Sequence, residues 1–152
     1  SGGVPVFVDV DPETFTLDPA AVEAAITERT VGIQPVHLYG HPAPMDRIMA
    51  IAAQQGLWVF EDAAQAHGAT WDGTQVGAFG DAAMYSLYPT KNMTSGEGGM
   101  VSTSTGEIAR HVRLLRNQGM EKQYANEVAG FNNRMTDIHA AIGRVQLGKL
   151  AA

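Results

Sequence analysis

Three short stretches of this sequence contain residue types suited to acid–base and carbonyl chemistry. Residues 61–68 combine two carboxylates, an amide and an imidazole with small alanines, directly after an apolar run. Residues 86–92 place Lys91 between an apolar run and a glycine-rich segment, among few other charges. A lysine shielded from water loses its proton more easily, and its neutral amine can attack a carbonyl to form a Schiff base. Residues 130–137 contain an Asn-Asn-Arg run ahead of a predicted helix, and such a helix start favours anion binding.

Each stretch also has a purely structural interpretation. Asp62 can cap the turn that follows it, which is a common role for aspartate. A lysine after a strand is usually a solvated surface charge. The Asn-Asn-Arg run can serve as an ordinary turn and helix cap. Taken one at a time, the stretches leave these interpretations open.

Several other kinds of site are excluded by spacing or composition. Residues 96–99 are glycine-rich, but no Gly-Lys-Ser/Thr follows them, and they do not match the dinucleotide-binding fingerprint. The five histidines show no metal-ligand spacing, and the sequence contains no Gly-x-Ser-x-Gly elbow and no cysteine. The sequence therefore favours a site that uses neither a metal ion nor a thiolate.

The composition is that of a folded globular chain. Its 152 residues are 45% hydrophobic and are enough to bury one core. The chain has 16 acidic and 10 basic residues, and its formal net charge of −6 argues against binding a nucleic-acid backbone. No apolar run approaches the roughly 20 residues needed to cross a bilayer, and the first residues lack the basic and apolar regions of a signal peptide. We therefore expect a cytoplasmic protein.

Strand and helix patterns alternate in the first half of the chain. Residues 4–10, 31–38 and 57–61 each have the apolar character of a buried strand. Asp18-Pro19 begins one intervening helix, and residues 45–55 form the other, with a glycine directly after it. This alternation predicts an α/β fold with a mostly parallel sheet flanked by helices. Ligands bind beyond the carboxyl ends of such strands, where the first two chemical stretches lie.

The pattern changes after residue 70. Asp72-Gly73 lies between strand-forming residues and predicts a two-residue hairpin. We predict four further elements and one loop, namely strands at 82–87 and 99–104, helices at 107–116 and 136–150, and a loop at 119–130. The spacing of apolar residues in the last two helices predicts buried stripes formed by Ile108, Val112, Leu115, Ile138, Ile142, Val145 and Leu150.

Taken together, the three stretches resemble the DegT-type nucleotide-sugar aminotransferases, which are pyridoxal-phosphate enzymes of fold type I, the aspartate aminotransferase fold. Residues 5–11, 35–40 and 96–100 also match this family in order, so the resemblance covers essentially the whole chain. The resemblance implies transfer of an amino group from a glutamate-type donor to the keto group of a nucleotide-linked sugar. It also implies a cytoplasmic homodimer that contributes to polysaccharide or antibiotic sugar biosynthesis.

The resemblance implies roles for five residues. Lys91 matches the lysine that forms a Schiff base with the cofactor and later moves a proton, and Asp62 matches the carboxylate that keeps the pyridine ring protonated. Gln65 matches the residue beside the ring oxygen, and Ser86 matches a hydroxyl that contacts the cofactor phosphate. Asn132 matches an asparagine that reaches the phosphate bound mainly by the other subunit. Relatives with histidine in place of Lys91 are similar to dehydratases, so the lysine favours amino transfer.

Two other functions are compatible with the same motifs. One is an aminotransferase that acts on a keto-cyclitol or a related carbocycle, and the other is a non-catalytic regulatory or scaffold protein. Members of the family are much longer than this chain. We therefore expect residues 1–152 to be part of the large domain, without the N-terminal segment and the C-terminal small domain. We also expect this part alone to bind the cofactor poorly and to turn over little.

Overall fold

Helices and strands alternate in the first half of the chain, and hairpins interrupt the second half. The computed structural model describes residues 2–150. A 3₁₀ turn at Leu38–Gly40 follows the first strand. The elements in chain order are α1 Pro19–Ala25, β1 Gly32–Ile33, α2 Met45–Gln55, β2 Trp58–Asp62, β3 Thr70–Trp71, β4 Thr74–Gln75, β5 Ala82–Ser86, β6 Gly99–Ser102, α3 Gly106–Arg116, β7 Met120–Lys122, β8 Ala125–Asn126 and α4 Asp137–Leu147.

The central sheet has four strands in the order β1-β2-β5-β6. The pairs β1–β2 and β2–β5 are parallel, whereas β5–β6 is antiparallel. Asp62 is in register with Met84, so β2 and β5 end at the same edge of the sheet. Ser86 pairs with Gly99, so the loop between β5 and β6 projects from that edge too. The predicted α/β fold with a mostly parallel sheet is confirmed.

Helix α2 packs the first core cluster against the sheet. It begins at Met45 and ends at Gln55 as predicted, and Gly56 ends it in the left-handed conformation with φ 65°. Its buried side chains meet Val59 and Ile33 of the neighbouring strands. Helix α1 is also confirmed, and the Asp18 carboxylate caps it by accepting a 2.9 Å hydrogen bond from the Ala20 N–H.

The first predicted strand is not formed. Within residues 4–10, only Val10 makes a ladder contact, an antiparallel bridge to Leu17. Val4, Val6 and Phe7 are 86%, 73% and 92% exposed. Among residues 2–150 no named strand lies beside this segment, so apart from the contacts with residues 17 and 18 its backbone groups have no ladder partners. Of its apolar side chains, that of Val8 packs against the first core cluster.

The second predicted strand is shorter than its apolar pattern suggests. Only Gly32–Ile33 pairs as a strand, and Val36 adds a single parallel bridge to Asp62. Pro35 lies between these two contacts and has no N–H to donate to a neighbouring strand. The proline therefore divides the predicted strand into two short contacts.

The stretch 119–130, predicted as a loop, contains the hairpin β7–β8. Tyr124, with φ 65°, lies in its turn. Arg110 of α3 forms ion pairs with Glu121 and Glu127 on the hairpin, at 3.0 and 2.5 Å. Because these stabilising contacts join residues distant in sequence, the local composition gave no strand signal.

The predicted buried stripes on the last two helices are partly wrong. In α3, Leu114 is buried whereas Leu115 is 41% exposed. In α4, Ile138, Ile142 and Val145 are 74%, 42% and 59% exposed, and Leu150 beyond it is half-buried. The buried residue of α4 is Gly143, where a Cβ would lie 3.3 Å from Cβ of Ser95. A glycine contact of this kind lets the helix approach closely without an apolar stripe.

The dimensions of these elements also bear on membrane insertion. The longest helices have 11 residues each. Among residues 2–150, no helix has both the length and the apolar composition needed to cross a bilayer.

Candidate active site

Four of the five residues assigned by resemblance follow the adjacent strands β2 and β5. Asp62 ends β2, and Gln65 lies in the turn directly after it. Ser86 ends β5, and Lys91 lies in the loop that follows. Because β2 and β5 are parallel neighbours, their carboxyl ends place these residues on one edge of the sheet. The topology therefore brings together the first two chemical stretches of the sequence.

The backbone of Asp62 is fixed on both sides. Its N–H donates a 2.8 Å hydrogen bond to the Pro35 carbonyl, and its carbonyl accepts one of 3.0 Å from the His37 N–H. Oδ1 of its side chain accepts a 3.0 Å hydrogen bond from the Ala64 N–H, so Asp62 does cap the following turn. No hydrogen bond from residues 2–150 reaches Oδ2. The cap therefore leaves one carboxylate oxygen for a ligand.

Gln65 is oriented by the turn at the end of β1. Its Oε1 accepts a 2.8 Å hydrogen bond from the N–H of Tyr39. With the oxygen engaged in this way, the amide nitrogen of Gln65 is left to donate two hydrogen bonds. The side chain is thus arranged as a donor, which suits an oxygen atom on a ligand.

Lys91 lies in a loop that is closed at its base. Leu87 and Gly98 are joined by a 2.9 Å backbone hydrogen bond, and the Ser95 N–H donates to the Leu87 carbonyl at 3.0 Å. Ser86 Oγ accepts a 3.3 Å hydrogen bond from the Tyr88 N–H, and the Lys91 N–H donates to the Tyr88 carbonyl at 3.0 Å. Lys91 is half-buried, and the salt bridges within residues 2–150 do not include it. Its amine is therefore available to a bound molecule.

His67 lies close to this loop. Both ring nitrogens are buried without a hydrogen-bond partner within residues 2–150, and the ring centroid is 5.5 Å from that of Tyr85. Burial lowers the pKa of His67. The nearby Ser86 backbone raises this pKa in part, although it is not hydrogen-bonded to the ring, and the positive charge of Lys91 lowers it further. His67 is therefore favoured in its neutral form.

A separate cleft of about 470 Å³ opens between β5 and α4. Its walls are mainly apolar and include Leu87, Met93, Met100, Met135, Leu147 and Leu150. His67 and Tyr85 line it, but Lys91 and Asp62 do not. Schiff-base chemistry needs an amine such as that of Lys91, which does not line this cleft, so we place the candidate site at the sheet edge.

Glu61 and His37 form a buried pair that the motif interpretation did not include. Both side chains are fully buried, and His37 Nε2 lies 3.1 Å from Glu61 Oε2. Burial, the largest influence, raises the pKa of Glu61, but hydrogen bonds from His37 and from the N–H groups of residues 80, 77 and 79 bring it below its ordinary value. A carboxylate inside an apolar strand was the available signal, because such a group requires internal partners.

Asn132 does not join the other four residues. It is exposed and forms an isolated antiparallel bridge with Asn117, after α3. Arg134 donates a 2.9 Å hydrogen bond to the Asn117 side chain, and Thr136 caps α4 by accepting from the His139 N–H at 3.3 Å. Within residues 2–150, no hydrogen bond links Asn132 to the sheet edge. Here the structural interpretation of the third stretch accounts for the contacts observed.

The polar groups at the sheet edge fit pyridoxal phosphate chemically. The cofactor has a pyridine nitrogen, an aldehyde and a phosphate group. The edge offers the unpaired oxygen Oδ2 of Asp62, the amine of Lys91 and the hydroxyl of Ser86. These are a carboxylate for a protonated ring, an amine for a carbonyl and a hydroxyl for an anion. Among the described residues 2–150, no cluster of His, Asp and Glu is arranged to hold a metal ion.

Comparisons with known proteins agree on one family. The sequence profile of the DegT/DnrJ/EryC1/StrS aminotransferase family matches residues 1–152. GDP-perosamine synthase from Caulobacter vibrioides is 50% identical over 151 residues, which cover 98% of this chain and 41% of that protein.

Two solved structures share the fold. DesV from S. venezuelae is 46% identical with a TM-score of 0.94, and the match covers 97% of this chain and 40% of DesV. The PLP-form of Spr1654 from Streptococcus pneumoniae is 28% identical with a TM-score of 0.90, over 99% of this chain and 44% of Spr1654.

All of these matches cover less than half of the relative's own length. The chain spans about 41% of the length of the curated relatives it matches. The family profile nevertheless covers all of its 152 residues. The chain therefore belongs to the DegT/DnrJ/EryC1/StrS aminotransferase family.

Proposed function

We propose that this chain is the cofactor-binding part of a pyridoxal-phosphate-dependent transaminase. The observation that carries the proposal is the pair of free groups at the carboxyl ends of two adjacent parallel strands, Oδ2 of Asp62 at the end of β2 and the amine of Lys91 in the loop after β5. The family match supports it, as does the PLP-form of a relative with the same fold. Residues 1–152 would supply part of the large domain in this proposal.

Each residue at the sheet edge has a role in the proposal. Pyridoxal phosphate, when bound, supplies the electron sink for amino transfer. Asp62 stabilises a protonated pyridine nitrogen, and Lys91 binds the cofactor aldehyde and later moves a proton at Nζ. Gln65 donates to the ring oxygen through its amide nitrogen, and Ser86 donates to the phosphate.

We propose that the acceptor is the keto group of a nucleotide-linked sugar and that the donor is of the glutamate type. The name of the 50% identical relative, GDP-perosamine synthase, supports this substrate class. A keto-cyclitol is the alternative acceptor, and the residues of the sheet edge do not separate the two. We also propose a cytoplasmic homodimer, in which Asn132 serves the partner's phosphate; its exposure and its separation from the sheet edge support this role.

Borohydride trapping tests the proposal. The intact gene product that carries these residues is mixed with pyridoxal phosphate, reduced, digested and examined by mass spectrometry. We expect the adduct on the Lys91 peptide and its loss in Lys91→Arg, because a guanidinium does not become a neutral amine. Lys122→Arg is the matched control, since Lys122 is an exposed lysine on β7. Equal labelling of Lys122 or Lys149 would contradict the assignment.

A substrate panel tests the acceptor. Nucleotide-linked keto sugars and free keto-cyclitols are compared with glutamate as donor, and we expect amination of the former. Turnover of keto-cyclitols alone would establish the alternative. The 152-residue chain by itself is expected to show little activity, so efficient transamination by it would contradict the assignment of residues 1–152 to part of a domain.

A further inference from the structure

Glu61 connects three separate segments through one buried carboxylate. Oε1 accepts hydrogen bonds of 2.9 and 2.8 Å from the N–H groups of Phe79 and Gly80. Oε2 accepts one of 2.6 Å from the Gly77 N–H and lies 3.1 Å from His37 Nε2. Four donors around a fully buried carboxylate satisfy it in its ionised form.

The contacts of His37 determine its tautomer. Its Nδ1 accepts a 3.0 Å hydrogen bond from the N–H of Ala43, so this nitrogen carries no proton. The proton of the neutral ring is therefore on Nε2, which donates it to Glu61. The imidazole is fixed at both ends and in a single orientation.

The backbone of His37 and of the two residues after it contacts Asp62 and Gln65, two of the residues proposed to bind the cofactor. Its own N–H donates to the carbonyl of Asp62, and two residues later the N–H of Tyr39 donates to Oε1 of Gln65. The side chain of His37 thus fixes the short segment 37–39, whose backbone contacts Asp62 and orients Gln65. Glu61 also precedes Asp62 in β2, so the same pair acts on Asp62 from its own strand.

The other half of the Glu61 cluster has a separate function. The segment 77–80 packs tightly against Tyr85, and a Cβ at Gly77 would overlap the Tyr85 ring. A second bond also secures this segment, because Ser102 Oγ donates to the Gly77 carbonyl at 2.7 Å. Ser102 contacts neither the segment 37–39 nor Asp62 through any hydrogen bond found within residues 2–150. A change at Ser102 therefore weakens the anchoring of the 77–80 segment without removing a contact that positions Asp62 or Gln65.

We propose that Glu61 and His37 are positioning residues that hold Asp62 and Gln65 in the orientation the cofactor requires. This inference rests on the proposed function. Neither side chain reaches the ligand side of the sheet edge, because both are fully buried among their hydrogen-bond partners. Their effect passes through the backbone of residues 37–39 and the end of β2.

The test uses His37→Phe, which keeps a ring but removes the acceptor at Nδ1 and the donor at Nε2. His37→Gln is the rescue variant, since an amide can both accept and donate. Ser102→Ala is the matched control that loosens only the 77–80 segment. All variants are made in the intact gene product.

The first readout needs no cofactor. Amide hydrogen exchange at Tyr39 reports its bond to Gln65, and we expect about tenfold faster exchange in His37→Phe, the effect of losing roughly one hydrogen bond. His37→Gln should restore most of the protection, and Ser102→Ala should leave it unchanged. Exchange in His37→Phe at the wild-type rate would overturn the proposal, as would ¹⁵N shifts that place the wild-type ring proton on Nδ1.

The second readout is the dissociation constant of pyridoxal phosphate, measured by absorbance. We expect about tenfold weaker binding in His37→Phe, partial recovery in His37→Gln and no change in Ser102→Ala. Equal weakening in Ser102→Ala would overturn the proposal, because a general loosening would then explain both. If the wild type fails to bind the cofactor at all, the proposed function fails, and the exchange comparison alone decides whether the pair positions Asp62 and Gln65.

Discussion

The N–H of Tyr39 donates a 2.8 Å hydrogen bond to Oε1 of Gln65, 26 positions further along the chain. Tyr39 makes this bond from the left-handed conformation, with φ 54°, and its side chain is 85% exposed. This conformation costs a residue with a side chain about 1–2 kcal/mol. Tyr39 therefore orients Gln65 through its backbone N–H, and the exposed ring of Tyr39 contributes little to the buried surface.

Replacing Tyr39 with glycine tests this interpretation. Glycine removes the cost of the left-handed conformation, which stabilises the folded protein. It also gives the unfolded chain more conformational freedom, which lowers the free energy of unfolding by roughly 0.4–1 kcal/mol. We expect Tyr39→Gly to raise the free energy of unfolding by between roughly 0 and 1.5 kcal/mol, as measured by urea denaturation. Tyr88→Gly is the control, because Tyr88 is 49% exposed and has no positive φ, so it should destabilise. A larger loss at Tyr39 than at Tyr88 would show that the ring matters.

Glu61 predicts a loss of stability in acid. Hydrogen bonds lower its pKa in the folded protein below the ordinary value of 4.5, although burial, the largest single influence, raises it. The unfolded chain then binds the proton more readily, so the stabilisation is complete above about pH 4.5 and is lost as the pH falls through the folded-state pKa. In Glu61→Gln we expect lower stability at pH 7 and a shallower dependence on acid.

Asp11 also titrates in this acid range and must be separated from Glu61. Backbone hydrogen bonds from Thr14 and Glu13 lower the pKa of Asp11 below 3.8. Asp11→Asn should therefore remove only the part of the pH dependence below that value. If the wild type and Glu61→Gln lose stability in parallel from pH 7 to pH 3, the role assigned to Glu61 is wrong.

His67 predicts a second pH dependence, at milder acidity. Burial lowers its pKa below the ordinary 6.5. The Ser86 backbone raises this pKa in part, and the positive charge of Lys91 lowers it further. Arg144 also lines the cleft that His67 faces. Between the lowered pKa and 6.5 the unfolded chain binds more protons, so stability should fall as the pH drops below about 6.5.

His67→Phe should remove this part of the pH dependence in thermal unfolding between pH 7.5 and pH 5. His41→Phe is the control, because His41 is exposed. Persistence of the full slope in His67→Phe would assign the titration to another group.

Arg110 predicts a salt-sensitive hairpin. Its guanidinium joins Glu121 and Glu127, so Arg110→Gln should accelerate amide exchange throughout β7–β8. The wild-type hairpin should also exchange faster in high salt, since exposed ion pairs are screened. Arg113→Gln is the control, because Arg113 lies on the same helix and is exposed without an ion pair to the hairpin. Equal effects of both variants would show that the hairpin does not depend on these pairs.

The elements predicted well are those whose signals are local. Helix α2 combines a regular apolar spacing with Gly56 at its end, and the β3–β4 hairpin follows from Asp72-Gly73. The segment 4–10 has an equally apolar pattern, but a strand also needs a neighbour, and none lies beside it within residues 2–150. Apolar composition therefore predicted helices better than it predicted strands.

The candidate site divides in the same way. Its position follows from the parallel strands that end at Asp62 and Ser86, and both strands were predicted from their apolar patterns. The role of Glu61 was not predicted, since its partners come from two other segments, at residue 37 and at residues 77–80, and only the folded chain brings them together. Asn132 remains a prediction, because the role given to it concerns a second subunit.

The buried carboxylate of Glu61 has a consequence for the order of folding. Its partners lie 24 residues before it and 16 to 19 residues after it, whereas α2 and β2 are adjacent in sequence. Contacts between distant segments form late, because a long loop must close before they contribute. Until then the carboxylate stays hydrated, and the end of β2 is incomplete. We therefore expect the sheet edge that carries Asp62 to become ordered among the last parts of the chain, after the α2 core has formed.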